Sequence, residues 1–202
     1  MKKIINILLL VAATLVPTAF GQDAVNVRLG VELIDETGES RRLKSNDEAK
    51  AGDGLRVYLL GEDAYNYYAV YADNTGAYLL NAGDNPLTPG SLTRLPANPN
   101  DYFEIDDASR TATVSLLVAS EPIAQIEELF GEKQAVARFD WSLAEMKLEK
   151  RAKENVLNVS EKDFSLGGTE RTRSSEQAAP IELKRFSGDG VTMKRYKIDI
   201  LK

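Results

Sequence analysis

Apolar and polar residues alternate strictly between positions 25 and 33. The odd-numbered residues are Val25, Val27, Leu29, Val31 and Leu33, and the residues between them are Asn, Arg, Gly and Glu. A period of two directs one row of side chains into a core and the other towards solvent, as in a half-buried β-strand. The chain must therefore build at least one sheet with a buried face. Further strands are predicted at 55–60, 65–72, 77–80, 91–95 (a short edge strand), 101–105, 110–119, 181–186 and 191–201.

The connections between these strands differ in their turn chemistry. Asp73-Asn74-Thr75-Gly76 separates two strands and predicts a tight hairpin, with Asn or Gly able to take positive φ. Ser187-Gly188-Asp189-Gly190 separates the last two strands and predicts a terminal β-hairpin over 181–202. Residues 39–50 are charged and lack an apolar period, which predicts a surface loop. The polar stretch 167–180 predicts an exposed flexible loop.

The pattern becomes helical after Ser120. Ser120 is a suitable N-cap, Pro122 fits the first turn, and Gly131 fits the C-terminus of a first helix that carries Ile123, Ile126 and Phe130. A second helix is predicted over 132–152. Its spacing predicts that Ala135, Phe139, Leu143 and Met146 lie on one face.

These elements predict a mainly β (α+β) fold. The expected architecture is an antiparallel β-sandwich-like core with a two-helix insert or cap near 121–153 and a C-terminal β-hairpin. All of it belongs to a single β-rich domain over 22–202.

Residues 1–21 have the pattern of a secretory signal peptide. Lys2 and Lys3 precede an apolar run from Ile4 to Val16, and small residues lead to a predicted cleavage between Gly21 and Gln22. The run has about 13 residues, whereas a membrane-spanning helix needs about 20. We therefore expect an exported protein, periplasmic or secreted, with no stable membrane insertion after the signal is cleaved.

The composition excludes several kinds of chemistry. The chain has no Cys and no His, which rules out disulfides, Ser-His-Asp and Cys-His catalysis, and Cys-rich or His-rich zinc sites. Its net charge of −6 makes it a poor ligand for nucleic acids or anionic membranes, so neither is an expected partner. No cofactor motif is present, and calcium is the cation that such a chain would most readily attract.

Six of the eight tyrosines lie between positions 58 and 78. They are Tyr58, Tyr65, Tyr67, Tyr68, Tyr71 and Tyr78. Alternation along the strand places Tyr65, Tyr67 and Tyr71 on one face and Tyr68 on the other. The favoured interpretation is a sandwich core with phenol groups at its rim. The alternative is an aromatic surface that binds a glycan, a peptide or another protein.

Acidic residues offer two further candidate sites. Asp73 and Asn74, with Gly76, Asp84 and Asn85 near them in sequence, supply oxygen ligands of the kind that calcium prefers. Their spacing is not that of an EF-hand, and Asx-Gly turns commonly form without metal. The adjacent pairs Asp106-Asp107 and Glu127-Glu128 diverge on a turn or helix, so we interpret them as solvated charges rather than a catalytic pair.

The stretch from Gly52 to Phe130 resembles a bacterial family known as domain of unknown function 4384. The matching sequence includes Gly-Asp-Gly-Leu-Arg-Val-Tyr-Leu-Leu at 52–60, the Tyr-rich strand and turn at 65–76, Leu-Thr-Arg-Leu-Pro at 92–96, Tyr-Phe-Glu-Ile at 102–105 and Val-Ser-Leu-Leu-Val-Ala-Ser-Glu-Pro-Ile at 114–123. The resemblance implies a small β-rich domain with an accessory or sensing role and no established activity.

Three functional hypotheses follow. The leading one is an exported, non-catalytic accessory or binding protein of the bacterial cell envelope that contacts another envelope protein or a surface polymer. The alternative is a carboxylate-based hydrolase acting on an extracytoplasmic polymer. A weaker alternative is a calcium-responsive structural protein.

Overall fold

The computed structural model describes residues 24–81, 85–155, 164–165 and 182–201. The predicted signal peptide with its cleavage site at Gly21 and Gln22, and the predicted loop at 167–180, lie outside the described residues. The predicted fold class is confirmed, because the described chain is mostly β-strand with two helices.

Two sheets make up the β-structure of the described residues. The first has strand order β11-β12-β1-β4-β7, with β2 paired to β1 and β8 paired to β4. Its strands are β1 (Ala24–Ile34), β2 (Ser40–Arg42), β4 (Gly54–Gly61), β7 (Leu92–Leu95), β8 (Phe103–Glu104), β11 (Phe164–Ser165) and β12 (Glu182–Asp189). As predicted, the short strand over 92–95 lies at a sheet edge.

The second sheet has strand order β10-β6-β5-β9-β13-β3. Its strands are β3 (Asp47–Lys50), β5 (Asn66–Ala72), β6 (Ala77–Leu79), β9 (Thr111–Ala119), β10 (Ala135–Val136) and β13 (Val191–Leu201). The predicted hairpin is confirmed, because β5 and β6 pair antiparallel around the 73–76 turn. The predicted central strand is confirmed as β9, which pairs with β5 and β13.

The main core lies between the two sheets. The odd-numbered residues of β1 are buried as the alternation predicts, and they join side chains from β4, β5, β9 and β13 in one cluster. The opposite face of the second sheet packs against helices α1 (Ala124–Phe130) and α2 (Arg138–Glu154). The domain thus has three layers, in the order sheet, sheet, helices.

The prediction of a surface loop over 39–50 was wrong. This segment contains β2 and β3, and Leu43 and Ala49 belong to the main core. β3 pairs parallel with β13, with Asp47 opposite Ile198. β3 was not predicted because a strand of four residues is too short to show a period in the sequence. Its partner strand β13 also lies far along the chain.

The predicted terminal hairpin was also wrong, although both of its strands exist. β12 pairs with β1, whereas β13 pairs with β9 and β3 in the other sheet. Gly190, at φ 69°, forms the corner between them. Glycine adopts this left-handed backbone without steric cost, so the chain passes from one sheet to the other.

The helix boundaries differ from the predictions. Ile123 is the N-cap of α1 and makes no side-chain cap, while the Ser120 hydroxyl donates to the Gly190 carbonyl at 3.4 Å. Gly131 is confirmed at the C-terminus of α1, with φ 52°. The second helix begins at Arg138 rather than at 132, because Ala135 and Val136 pair with β6 as strand β10.

Candidate functional site

The structure buries five of the six clustered tyrosines. Tyr58, Tyr65, Tyr67, Tyr68 and Tyr71 are at most 9% exposed, and only Tyr78 reaches 36%. As the alternation predicts, Tyr65, Tyr67 and Tyr71 join the main core and Tyr68 joins the layer under the helices. These five rings therefore belong to the protein core, as the favoured interpretation predicts. Their faces are not exposed and so do not form a binding surface.

The buried phenol groups form internal hydrogen bonds. The Tyr58 hydroxyl donates to Glu32 at 2.8 Å, and the Tyr65 hydroxyl donates to the Ala24 carbonyl at 3.1 Å. The Tyr68 hydroxyl donates to Glu127 at 2.6 Å. Burial, reinforced by the Glu32 and Glu127 acceptors, raises the pKa of Tyr58 and of Tyr68 to about 12.

Asp73 shapes the hairpin turn. Its Oδ1 accepts hydrogen bonds from the Thr75 amide, the Thr75 hydroxyl and the Gly76 amide, at 2.7, 2.6 and 3.2 Å. Neither Asn74 nor Gly76 has a positive φ. Asp84, from the same predicted site, lies outside the described residues. Within the part of the chain that the structure describes, no three acidic side chains converge in a way that would hold a metal ion.

The paired carboxylates also have local structural roles. Glu127 accepts the Tyr68 hydroxyl, and Asp106 Oδ1 accepts the Ala108 amide at 3.1 Å. A separate cleft of about 480 Å³ has a mixed lining, in which acidic residues such as Asp35 and Asp53 alternate with the basic Arg41 and Lys50 and with apolar side chains. The hydrogen bond from the Thr37 hydroxyl holds the pKa of Asp35 below its ordinary value, whereas a general acid needs a raised one.

Three large apolar side chains project from α2 into solvent. Phe139 is 72% exposed, Leu143 is 44% exposed and Met146 is 61% exposed. Their spacing of four and three residues places them in one stripe along the helix. We call these three residues the α2 outer face. The sequence pattern predicts these residues on one face of the helix, and in the structure that face is turned towards solvent rather than into the core.

The buried face of α2 is a second apolar stripe. It consists of the buried residues Trp141, Ala144, Leu148 and Ala152, of which the first three pack in one cluster with the second sheet and α1. The Trp141 ring lies 5.9 Å from the Phe130 ring, centroid to centroid. At 100° per residue the two stripes lie on roughly opposite sides of the helix. An ordinary amphipathic helix packs against its own protein through one apolar stripe. The α2 outer face is therefore not needed to hold the helix on the sheet.

A buried carboxylate holds α2 on the sheet. Glu145 lies between Trp141 and Leu148 on the buried face, and its side chain is 5% exposed. Its Oε1 accepts the Ser115 hydroxyl of β9. Arg195 of β13 and Arg138 of α2 approach its carboxylate oxygens at 3.8 and 3.9 Å. A buried charge with these partners fixes the rotation of α2 and so keeps the outer face turned outwards.

Charged residues flank the outer face. Asp140 and Lys147 are both exposed and lie seven residues apart, so they project from the same side of the helix. Further along, Lys153 pairs with Glu149 at 2.7 Å and Lys150 approaches Glu154 at 3.9 Å. The outer face is therefore an apolar strip with a polar rim, the usual pattern of a protein interface.

Comparison of the chain with protein-family models, with curated proteins and with solved structures found no match in any of the three. Neither of the helices within the described ranges has the length and apolar character needed to cross a bilayer.

Proposed function

We propose that this chain is an exported, non-catalytic binding protein of the bacterial cell envelope, and that the α2 outer face is its docking surface for a protein partner. The observation that carries the proposal is the exposure of Phe139, Leu143 and Met146 on a helix whose opposite face is fully packed. Solvent-exposed clusters of this kind mark interaction sites more often than isolated apolar residues do.

A protein partner suits this surface better than a polymer. Three side chains at positions i, i+4 and i+7 are the anchor pattern of helix-mediated recognition. Burying the exposed 44–72% of each side chain contributes roughly 1–2 kcal/mol. The hydrogen bond between Ser115 and Glu145 supports the proposal, because it fixes the orientation of α2. A helix that is already fixed loses little conformational freedom on binding.

Export and the lack of catalysis are supported by the sequence. Residues 1–21 have the composition of a secretory signal, and the chain has neither the His nor the Cys used by most nucleophilic enzymes. The resemblance of 52–130 to domain of unknown function 4384 also favours an accessory role.

The test is site-specific photocrosslinking in the cells that make the protein. A photoreactive amino acid at Leu143 is expected to capture one protein partner as a discrete crosslinked species. The same amino acid at Tyr102, which is 47% exposed and lies against β4 of the first sheet, away from α2, serves as the matched control. Capture at Leu143 should disappear when Phe139→Ser and Met146→Ser are added.

Equal capture at both positions, or none from a bait shown to be folded and exported, would contradict the proposal. Polymer binding and then the carboxylate hydrolase would become the leading hypotheses.

A further inference from the structure

The α2 outer face is complementary to itself. Its apolar residues span Phe139 to Met146, and the charged pair beside them has its midpoint between Leu143 and Ala144. A second α2 laid antiparallel across this midpoint places apolar side chains against apolar side chains. From this geometry we infer that the partner seated on the α2 outer face is the α2 helix of a second copy of this chain.

Charge complementarity selects the antiparallel arrangement. Asp140 precedes the midpoint by as many residues as Lys147 follows it, and both lie on the same side of the stripe. A two-fold axis perpendicular to both helices at the midpoint places the charged flank of one stripe beside the same flank of the other stripe. Asp140 of one copy therefore meets Lys147 of the other, and the symmetry forms this pair twice.

The helix ends support the same orientation. Asp140 lies in the first turn of α2, whereas Arg151 and Lys153 lie in its last turn. Antiparallel packing sets the positive macrodipole end of one helix beside the negative end of the other. It also sets the basic last turn of one copy near the acidic first turn of its partner.

The size of the surface predicts a weak dimer. Three exposed side chains supply on the order of a few hundred Å² per copy, whereas a stable interface buries about 800 Å² per partner. We therefore expect dissociation constants between about 1 µM and about 1 mM.

Sedimentation of the purified chain across that concentration range tests the inference. The wild-type chain is expected to show a concentration-dependent monomer–dimer equilibrium. Asp140→Lys alone and Lys147→Asp alone should each weaken it by at least about tenfold, because like charges then face each other twice. An equimolar mixture of the two variants should form a heterodimer with restored affinity, because each charge again meets its opposite.

Phe139→Ser is the apolar counterpart of these charge variants. It should weaken the dimer without changing the far-ultraviolet circular dichroism, because the side chain is mostly exposed. A dimer that persists unchanged in Phe139→Ser, or a mixture that shows no restoration, would overturn the inference.

The inference rests on the proposed function because both use the α2 outer face, but different experimental results would overturn each of them. A chain that stays monomeric in vitro, while Leu143 captures a different protein in cells, overturns only the second-copy assignment. A monomeric chain without any Leu143-dependent capture overturns both.

Discussion

The Ser115 hydroxyl donates a hydrogen bond to Oε1 of Glu145. The contact joins the central strand β9 to the middle of α2, and Ser115 has no solvent exposure. The Glu145 carboxylate is buried beneath the helix, where Ser115, Arg195 and Arg138 compensate its charge. The helix layer is thus attached to the sheet by a polar contact as well as by apolar packing.

Replacing the buried carboxylate should destabilise the domain. Glu145→Ala is expected to lower the free energy of unfolding by about 3 kcal/mol. The buried Ser115 hydroxyl loses its hydrogen-bond acceptor, and the guanidinium groups of Arg195 and Arg138 lose the opposite charge 3.8 and 3.9 Å away. Urea denaturation followed by circular dichroism measures the change. The matched control is Glu154→Ala at the exposed end of α2, expected to stay within about 0.5 kcal/mol. Equal effects of the two variants would mean that Glu145 does not hold the helix in place.

Two aromatic residues on opposite faces of α2 should respond differently to truncation. Trp141→Ala removes a fully buried ring packed on Phe130 and is expected to cost about 3–5 kcal/mol. Phe139→Ala should change stability by less than about 0.5 kcal/mol, because its side chain is 72% exposed.

Thermal and urea unfolding of both variants provide the measurement. Trp141 is the only tryptophan, so its fluorescence reports unfolding of the helix layer in the Phe139 variant. A loss of several kcal/mol in Phe139→Ala would show that its ring packs within the fold and would remove the basis for a docking surface.

Two tyrosines on opposite faces of β5 provide a matched test of buried hydroxyl groups. The Tyr68 hydroxyl accepts the amide of Ile123, at the start of α1, and donates to Glu127. Tyr68→Phe leaves that buried amide without its acceptor and should cost about 1–3 kcal/mol. The Tyr71 hydroxyl is buried without a hydrogen-bond partner among the described residues, so Tyr71→Phe should be neutral or slightly stabilising.

Chemical denaturation of the two Phe variants in parallel gives the comparison. The prediction fails if Tyr71→Phe is as destabilising as Tyr68→Phe.

Stability should fall at alkaline pH. Burial raises the pKa of Tyr58, Tyr68 and Tyr196 to about 12, from an ordinary value of 10.0. Below pH 10 these phenols are protonated in both folded and unfolded chains. Between about pH 10 and 12 the unfolded chain releases its protons while the folded chain retains them, so stability declines through this window.

Urea midpoints measured from about pH 9 to about pH 12 follow this decline. Tyr58→Phe should make it shallower, because one of the buried phenols is then removed from the titration. A flat profile through this range would contradict the burial of the phenol groups.

The sequence predicted elements whose stabilising pattern is local. β1, the β5–β6 hairpin and β9 were all recognisable from alternation, a turn sequence or a run of β-branched residues. β3 was missed because its four residues depend on distant β13 rather than on any local period. The change of sheet at Gly190 was missed because a glycine-containing turn between two strands has the same local sequence in a hairpin and in a corner.

The candidate site was predicted with less success, for a physical reason. α2 carries two apolar stripes, and sequence periodicity alone does not decide which of them packs inside. The large ring of Trp141 beside the small side chain of Ala144 suits close contact with a flat sheet, and this combination was the available signal. The tyrosine cluster was conspicuous by its composition, but aromatic residues are common in sheet interiors.

The separation of β12 and β13 into different sheets has a kinetic consequence. β12 covers the edge of β1, whose Ala24 is paired with Asp189, and β13 lies between β9 and β3. Neither sheet can be completed until residues 182–201 are available. Contacts of such long sequence separation make folding slow. A chain synthesised from its N-terminus therefore leaves both sheets incomplete until residues 182–201 have emerged from the ribosome.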